Sequence, residues 1–264
     1  MKVLMVDPYN FDVKYSINPW MNTEIKVDKK SAIAQWENLK NYIITLGVEV
    51  VVMDSSPLQP DIVFAANAGK LIGNKFILSN FKDKERKEEK ALFRNWFSAS
   101  NYKPVSISEN LTWEGEACTI EIKETLLCSY GYRSDRDSYN EICKLWKTKK
   151  TKFVYLSDPY FYHLDVCFCK LNNDTAIYCP LAFTAKDREW LEKNIKNLIP
   201  VSLDDALNFG CNAFVVENKV LISDQISESL VEMIQSLNFQ VIKFEVSEYI
   251  KAGGGVKCLI CTLD

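Results

Sequence analysis

The sequence contains one histidine in 264 residues, His163. A metal site built on several histidines is thereby excluded, and a single candidate remains for acid–base work near neutral pH. No apolar run approaches the roughly 20 residues that span a bilayer. The stretch before Asp7 is too short in apolar residues to read as a secretory leader. There is neither a P-loop nor a dinucleotide fingerprint, so no cofactor is expected. No Pro-rich, Gly/Ser-rich or single-charge segment marks a linker; residues 1–264 read as one domain. The balance of charge is close to even, with a net charge of -3 and a pI of about 5.5, which argues against a nucleic-acid partner. Lys147, Lys149, Lys150 and Lys152 cluster, and read as a solvated helix end. The nine cysteines, an odd number, do not assemble the paired spacings of a four-ligand zinc site, so no metal is expected. The chain reads as cytoplasmic, with reduced and mostly buried thiols. The implied partner is a small molecule, with no membrane contact and self-association left open.

What is present is a globular balance, 47% hydrophobic and 25% charged, with a repeating pattern. Apolar residues at helical spacing predict helices over Ser31–Leu46, Glu85–Ala99, Ser138–Trp146, Ala185–Ile195 and Ser227–Leu237. Short strands follow each: Val48–Met53, then Ile62–Phe64 and Lys75–Leu78; Pro104–Ile107, then Cys118–Ile122 and Thr125–Cys128; Phe153–Leu156, then Val166–Lys170 and Thr175–Tyr178; Pro200–Val201, then Ala213–Val216 and Lys219–Ile222; Phe239–Phe244, then Val256–Thr262. Lys2–Val6 is placed to supply a closing strand. The period is roughly 45–50 residues, and five units of a helix plus about three strands account for the chain. Units of this size bury their faces only against neighbours, which suggests an arrangement around an axis. Residues distant in sequence then meet at the axis. The candidate segments are those at Asn67, Glu114–Glu116, His163–Asp165, Cys211–Asn212 and Cys258, all polar for positions beside apolar strands.

His163 lies just before the apolar run Val166-Cys167-Phe168-Cys169, and in an extended segment it points to the same side as Asp165. A histidine with a carboxylate nearby is the usual acid–base arrangement. Cys258 follows Gly253-Gly254-Gly255. Three glycines suggest a backbone that turns tightly or is approached closely, as in a plain C-terminal turn or a nucleophile loop. A thiol and a distant histidine in one chain are a candidate nucleophile pair. Glu114-Gly115-Glu116 is either a charged turn or a receptor for a planar cation. Arg133 has the fork geometry to hold a carboxylate, or forms a surface ion pair.

Seven stretches carry a resemblance, in order along the chain: Tyr9–Val13, Ile17–Met21, Phe64–Gly69, Trp113–Glu116, Gly131–Asp135, Phe161–Asp165 and Lys251–Cys258. On these the chain resembles the dimethylarginine dimethylaminohydrolase-like and arginine dihydrolase-like enzymes of the guanidino-modifying (pentein) superfamily. The resemblance implies an α/β fold, a five-bladed α/β propeller, in agreement with the repeat count. It implies hydrolysis of a guanidino C–N bond: arginine to citrulline or ornithine, or methylarginine to citrulline. Cys258 would be the nucleophile and His163 the general acid and base. Asp165, Glu114 and Glu116 would hold the guanidinium, and Arg133 and Arg86 the substrate carboxylate. Asn18 and Asn67 would line the pocket, and an asparagine at position 67 goes with carrying arginine on to ornithine. Amidino transfer by the same Cys and His is an alternative reading.

One departure stands out. Where the family reads Glu-Gly-Glu-Gly-Asp, this chain reads Glu114-Gly115-Glu116-Ala117-Cys118. With Cys118 at the position of a guanidinium-gripping Asp, one charge-assisted contact is expected to be lost, at a cost of about 1.5–3 kcal/mol. This opens a third reading, a non-catalytic binding protein.

Overall fold

Asp28 opens the first helix. Its carboxylate accepts hydrogen bonds from the backbone N–H groups of Lys30 and Ser31, donors that a helix start leaves without partners. The helix, Lys29–Thr45, buries Ala32, Gln35, Trp36, Leu39 and Ile43 along one face, as an amphipathic spacing requires. Thr184 and Ser227 cap Ala185–Asn194 and Glu228–Gln235 in the same manner. Helices Glu89–Ala99 and Tyr139–Trp146 complete the set that follows the sequence periodicity. The computed structural model describes residues 1–146 and 150–264.

Among the described residues the strands form five three-stranded sheets. Four share one plan. Gly69–Ile72, Lys75–Leu78 and Lys103–Val105 form the first of these; Thr119–Ile122, Thr125–Gly131 and Lys150–Leu156 the second; Phe168–Lys170, Thr175–Tyr178 and Asn197–Pro200 the third; Phe214–Val216, Lys219–Ser223 and Gln240–Phe244 the fourth. In each, the first two strands pair antiparallel and the third pairs parallel to the second. A hairpin turn serves the antiparallel step, whereas the parallel step needs a crossover, which the helix supplies. The fifth sheet joins the two ends of the chain: Cys261–Thr262 pairs antiparallel with Lys2–Val6, which pairs parallel with Glu49–Met53. The fold is thus mixed α/β, built from repeats of one sheet type, with aromatic packing between helix and sheet such as Phe97 stacked on Phe76. No helix among the described residues is long and apolar enough to cross a membrane.

The helices fall close to their expected places, but several strands begin later than the apolar runs predict. Ile62 and Val63 lie in a 3-10 turn, Pro60–Val63. Pro60 suits the first position of such a turn and has no N–H to give a ladder. Cys118 closes the turn Gly115–Cys118, Val166 and Cys167 lie in the helical turn Leu164–Cys167, and Cys258 lies in the turn Lys257–Leu259. Buried turns and buried strands are equally apolar, so hydrophobicity alone does not separate them. These turns pack on one another: Ala65–Asn67 against both Gly115–Cys118 and Lys257–Leu259, and Leu164–Cys167 against Gly115–Cys118. The expected meeting of distant segments is therefore made by turns that precede the inner strands. Of the lysine cluster, Lys147 and Lys149 lie outside the described residues. Lys150 and Lys152 belong to a strand, not to a helix end, and Lys152 pairs with Asp187.

Candidate active site

Cys258 is held by its backbone. Its N–H donates to Oδ1 of Asn212 at 3.1 Å, and Nδ2 of the same Asn212 donates to the carbonyl of Asp165 at 3.1 Å. One fully buried carboxamide thus ties the thiol-bearing turn to the turn that follows His163. The preceding glycines are approached closely. Gly253 has φ +81, and a Cβ there would lie 2.7 Å from the Asn18 carboxamide. A side chain on Gly254 would strike the ring of Phe64. The triple glycine is a close-packing device beneath the pocket.

Cys258 and His163 line one small pocket, with Ile17, Asn18, Met21, Asp61, Phe64, Asn67, Arg86, Arg133, Tyr162, Ala252 and Gly253. Its free volume is about 10 Å³, room for about one water molecule. The segment Ile17–Met21 gives it Ile17, Asn18 and Met21. Asn18 fastens that segment by accepting from the N–H groups of Trp20 and Met21 and donating to the Ala252 carbonyl. Asn18 thus reaches the pocket as expected, with its carboxamide engaged by backbone.

His163 is 2 % exposed, and its Nε2 stands 2.7 Å from Oε2 of Glu114. Burial pushes the Glu114 carboxyl up, but Arg133 and His163 outweigh it and hold the group at about 2. An ionised Glu114 accepts, so Nε2 carries the hydrogen and Nδ1 is left to exchange a proton. Burial drives the His163 pKa below its ordinary value, against the pull of Glu114. The Cys258 thiol is pushed up by burial and then by Asp165, with Gly255, Lys257 and Asn212 opposing. Burial thus favours the uncharged form of both the thiol and the imidazole.

Several expected contacts are placed differently. His163 has extended backbone while Asp165 lies in the helical turn after it, so the two do not share a side. Asp165 faces Cys258 from behind, with Sγ donating towards Oδ2 at 4.0 Å. It lines a second, larger cavity of about 380 Å³ on the other side of the thiol. Burial raises Asp165 to about 7, with Lys257 opposing. Glu116 is not in the small pocket at all. It lines the larger cavity, bonded to Lys70, Lys257 and Thr262. Gly115, at φ +70 and closely packed against Ala66 and Gly69, sits between Glu116, in the larger cavity, and Glu114, which does not line the small pocket but stands behind it, bonded to His163 and Arg133. Cys118 is also away from the pocket, in an apolar cluster with Trp113, Cys128 and Tyr139, where it accepts from the Ser134 hydroxyl. The departure at Cys118 therefore removes no carboxylate from the pocket.

Arg133 and Arg86 both line the pocket. Arg133 shares Nη1 between Asp83 and Glu114 and donates from Nη2 to the carbonyl of Ile17, while its Nε has no partner. Arg86 forms a two-pronged pair with Glu89 and donates to Asn67. One residue was missed from sequence. Asp61 is 1 % exposed and lines the pocket; its Oδ2 accepts from Tyr15, while Oδ1 has no partner. Burial raises it to about 6, with Arg86 opposing. The available signal was a lone acid at the head of the apolar run Ile62-Val63-Phe64.

This geometry can be set beside known proteins. A family model described as N,N dimethylarginine dimethylhydrolase, eukaryotic, matches residues 12–263. The bifunctional arginine dihydrolase/ornithine cyclodeaminase ArgZ of Synechocystis is 36% identical over 98% of this chain, which spans 37% of that protein's length. The N(G),N(G)-dimethylarginine dimethylaminohydrolase of Mycobacterium tuberculosis is 32% identical, with 98% of this chain and 84% of that protein covered. The structure of the N-terminal domain of ArgZ bound to product superposes with a TM-score of 0.94 at 34% identity, covering 100% of this chain and 97% of that one.

Proposed function

The chain belongs to the N,N-dimethylarginine dimethylhydrolase family, and on that premise we propose that it hydrolyses the C–N bond of a guanidino compound through Cys258. The observation that carries the reading is one closed pocket lined by a thiol, a histidine and a buried carboxylate with an unpaired oxygen. A guanidinium is a planar cation and a poor electrophile. Asp61 is the carboxylate placed to hold it, and the cation's arrival lowers the pKa of Cys258. The thiol proton passes to Nδ1 of His163. The thiolate adds to the guanidinium carbon, and the imidazolium gives its proton to the departing ammonia or amine. Water then loses a proton to His163, adds to the same carbon, and the C–S bond breaks to give a ureido product.

Arginine is the substrate favoured by Asn67 and by the likeness to an enzyme named arginine dihydrolase. A second round on the ureido carbon releases a second ammonia. Hydrolysis of the carbamoyl thioester then gives a carbamate that loses carbon dioxide, leaving ornithine. Arg133, with its unpaired Nε, is the cation for the substrate carboxylate. The pocket holds about one water as it stands, so Ile17–Met21 must move for an amino acid to enter. The five sheets are read as blades of one α/β propeller forming a single domain. The nine free thiols suit a reducing compartment such as the cytoplasm.

The test is a mass-spectrometric product assay with arginine, methylated arginines, agmatine, citrulline and guanidinoacetate, beside a Cys258→Ala control. Citrulline or ornithine from one of these, absent in the control, supports the reading. No product from any of them refutes it.

A further inference from the structure

Every sheet contributes to the wall of the larger cavity: Lys70, Ile120, Phe168, Val215 and Thr262 come from five different sheets. Its volume of about 380 Å³ is in the range of small-molecule sites, about 300–1,000 Å³. Glu116 stands in it as a saturated acceptor. One carboxylate oxygen accepts from Lys257 Nζ and the Thr262 N–H, the other from Lys70 Nζ and the Thr262 hydroxyl. A carboxylate has about four acceptor positions, and these are filled. The two ammonium groups are not used up. Among the described residues, Lys70 Nζ donates only to Glu116 and the Thr262 hydroxyl, and Lys257 Nζ only to Glu116 and the Ile260 carbonyl. An ammonium has three donors, so each keeps an N–H to give. Lys170 also lines the cavity, beside the exposed Glu121. With Asp165 protonated to about 7, the ammonium groups outnumber the carboxylates. The remaining wall is apolar, with Phe168 and Phe214 buried and Ile120 and Val215 partly so.

We propose that the larger cavity binds a small organic monocarboxylate, with its carboxylate on Lys70 and Lys257 and its apolar body against Phe168, Phe214 and Val215, and that its occupancy restrains Cys258. Both ammonium groups hang on one carboxylate, that of Glu116, and a second carboxylate takes up the donors left over. The surplus of positive charge suits one negative charge. A second carboxyl on the ligand would meet the exposed Glu121, and an inorganic anion would leave the apolar wall in water. Lys257 precedes Cys258 in the same turn, and its charge favours ionisation of the thiol. An anion seated on Lys257 offsets that charge, so the thiolate forms less readily. The ligand does not enter the small pocket, so it lowers kcat without competing with substrate. This kinetic consequence, unlike the binding itself, rests on the reading of the small pocket as a guanidino hydrolase site.

The experiment titrates benzoate, and benzamide as its uncharged counterpart, into wild type, Lys70→Met and Val215→Trp by calorimetry, with folding checked by thermal melts. The expected result is saturable one-to-one binding of benzoate by wild type, and weaker binding of benzamide. Lys70→Met weakens benzoate binding at least about tenfold, the loss of one charge-assisted contact. Val215→Trp fills the space of the ligand's body and abolishes binding, and it serves as an independent arm should the Lys70 variant fail to fold. No saturable binding by wild type, or binding unchanged in Val215→Trp, overturns the inference. In steady-state assays with arginine, benzoate lowers kcat and leaves KM little changed, and Val215→Trp is insensitive to it. Inhibition that is competitive with arginine and persists in Val215→Trp places benzoate in the small pocket and overturns the inference, as does binding with kcat unchanged. Wild type inert toward arginine refutes the reading of the small pocket, and calorimetry alone then decides the site.

Discussion

Sγ of Cys258 points at Oδ2 of Asp165, 4.0 Å away, and the other oxygen of that carboxyl has no partner. The Cys258 thiol is thus backed by a buried acid that lines a separate cavity, not the small pocket that Cys258 shares with His163. Burial holds Asp165 protonated to about 7, with Lys257 opposing and Glu116 adding to the rise.

That shift predicts a pH dependence of stability. The unfolded chain releases the Asp165 proton near pH 4, whereas the native chain holds it to about 7. The contribution is complete below the unfolded value and is lost as pH rises through about 7. In Asp165→Asn this loss is absent. The variant's Tm relative to wild type should rise by several degrees from pH 5 to pH 8. A constant difference across that range rejects the assignment.

Glu114→Gln should lower kcat by about 10²- to 10³-fold, because His163 loses the partner that fixes its tautomer. The carboxylate raises the His163 pKa against burial. Removing it lowers that pKa, so the acidic limb of the kcat/KM profile moves to lower pH. Loss of rate with an unmoved limb would mean general damage instead.

The repeat was legible because each helix carries its own apolar face and each hairpin its own strands; Thr175–Tyr178 and Lys75–Leu78 form where the pattern put them. Cys258, His163, Asn18, Asn67, Arg133 and Arg86, which the family resemblance assigned to the site, line one pocket. What the sequence could not show is direction. Glu114 and Glu116 are two residues apart, with a glycine at positive φ between them; one reaches His163 and the other lines the larger cavity. The alternation assumed for His163 and Asp165 failed because the second sits in a helical turn. Asp61 was hidden because a buried acid in an apolar run has no signature until its neighbours Tyr15 and Arg86 are in place.

Cys118 tests the same point. Cys118→Ala should keep kcat/KM within about threefold, since the thiol lies in an apolar cluster away from the pocket. Cys118→Asp should destabilise the fold by several kcal/mol, as an unpaired buried charge does, without tightening substrate binding. A gain in affinity on restoring the carboxylate would return Cys118 to the site.

Gly253→Ala tests what fastens Ile17–Met21. The added Cβ falls 2.7 Å from the Asn18 carboxamide at a backbone angle that disfavours a side chain, a strain of about 1–3 kcal/mol. Ile17–Met21 should loosen, seen as faster proteolysis there and a raised KM. Protection of the segment equal to wild type would mean that Asn18 does not hold it.

The most direct measurement is the intact mass of the protein, acid-quenched within milliseconds of mixing with arginine and mapped by peptide. The account predicts a transient gain equal to arginine less ammonia, carried by the peptide that contains Cys258 and absent in Cys258→Ala. Turnover with no adduct at any quench time and unchanged rates in Cys258→Ala would contradict the covalent mechanism.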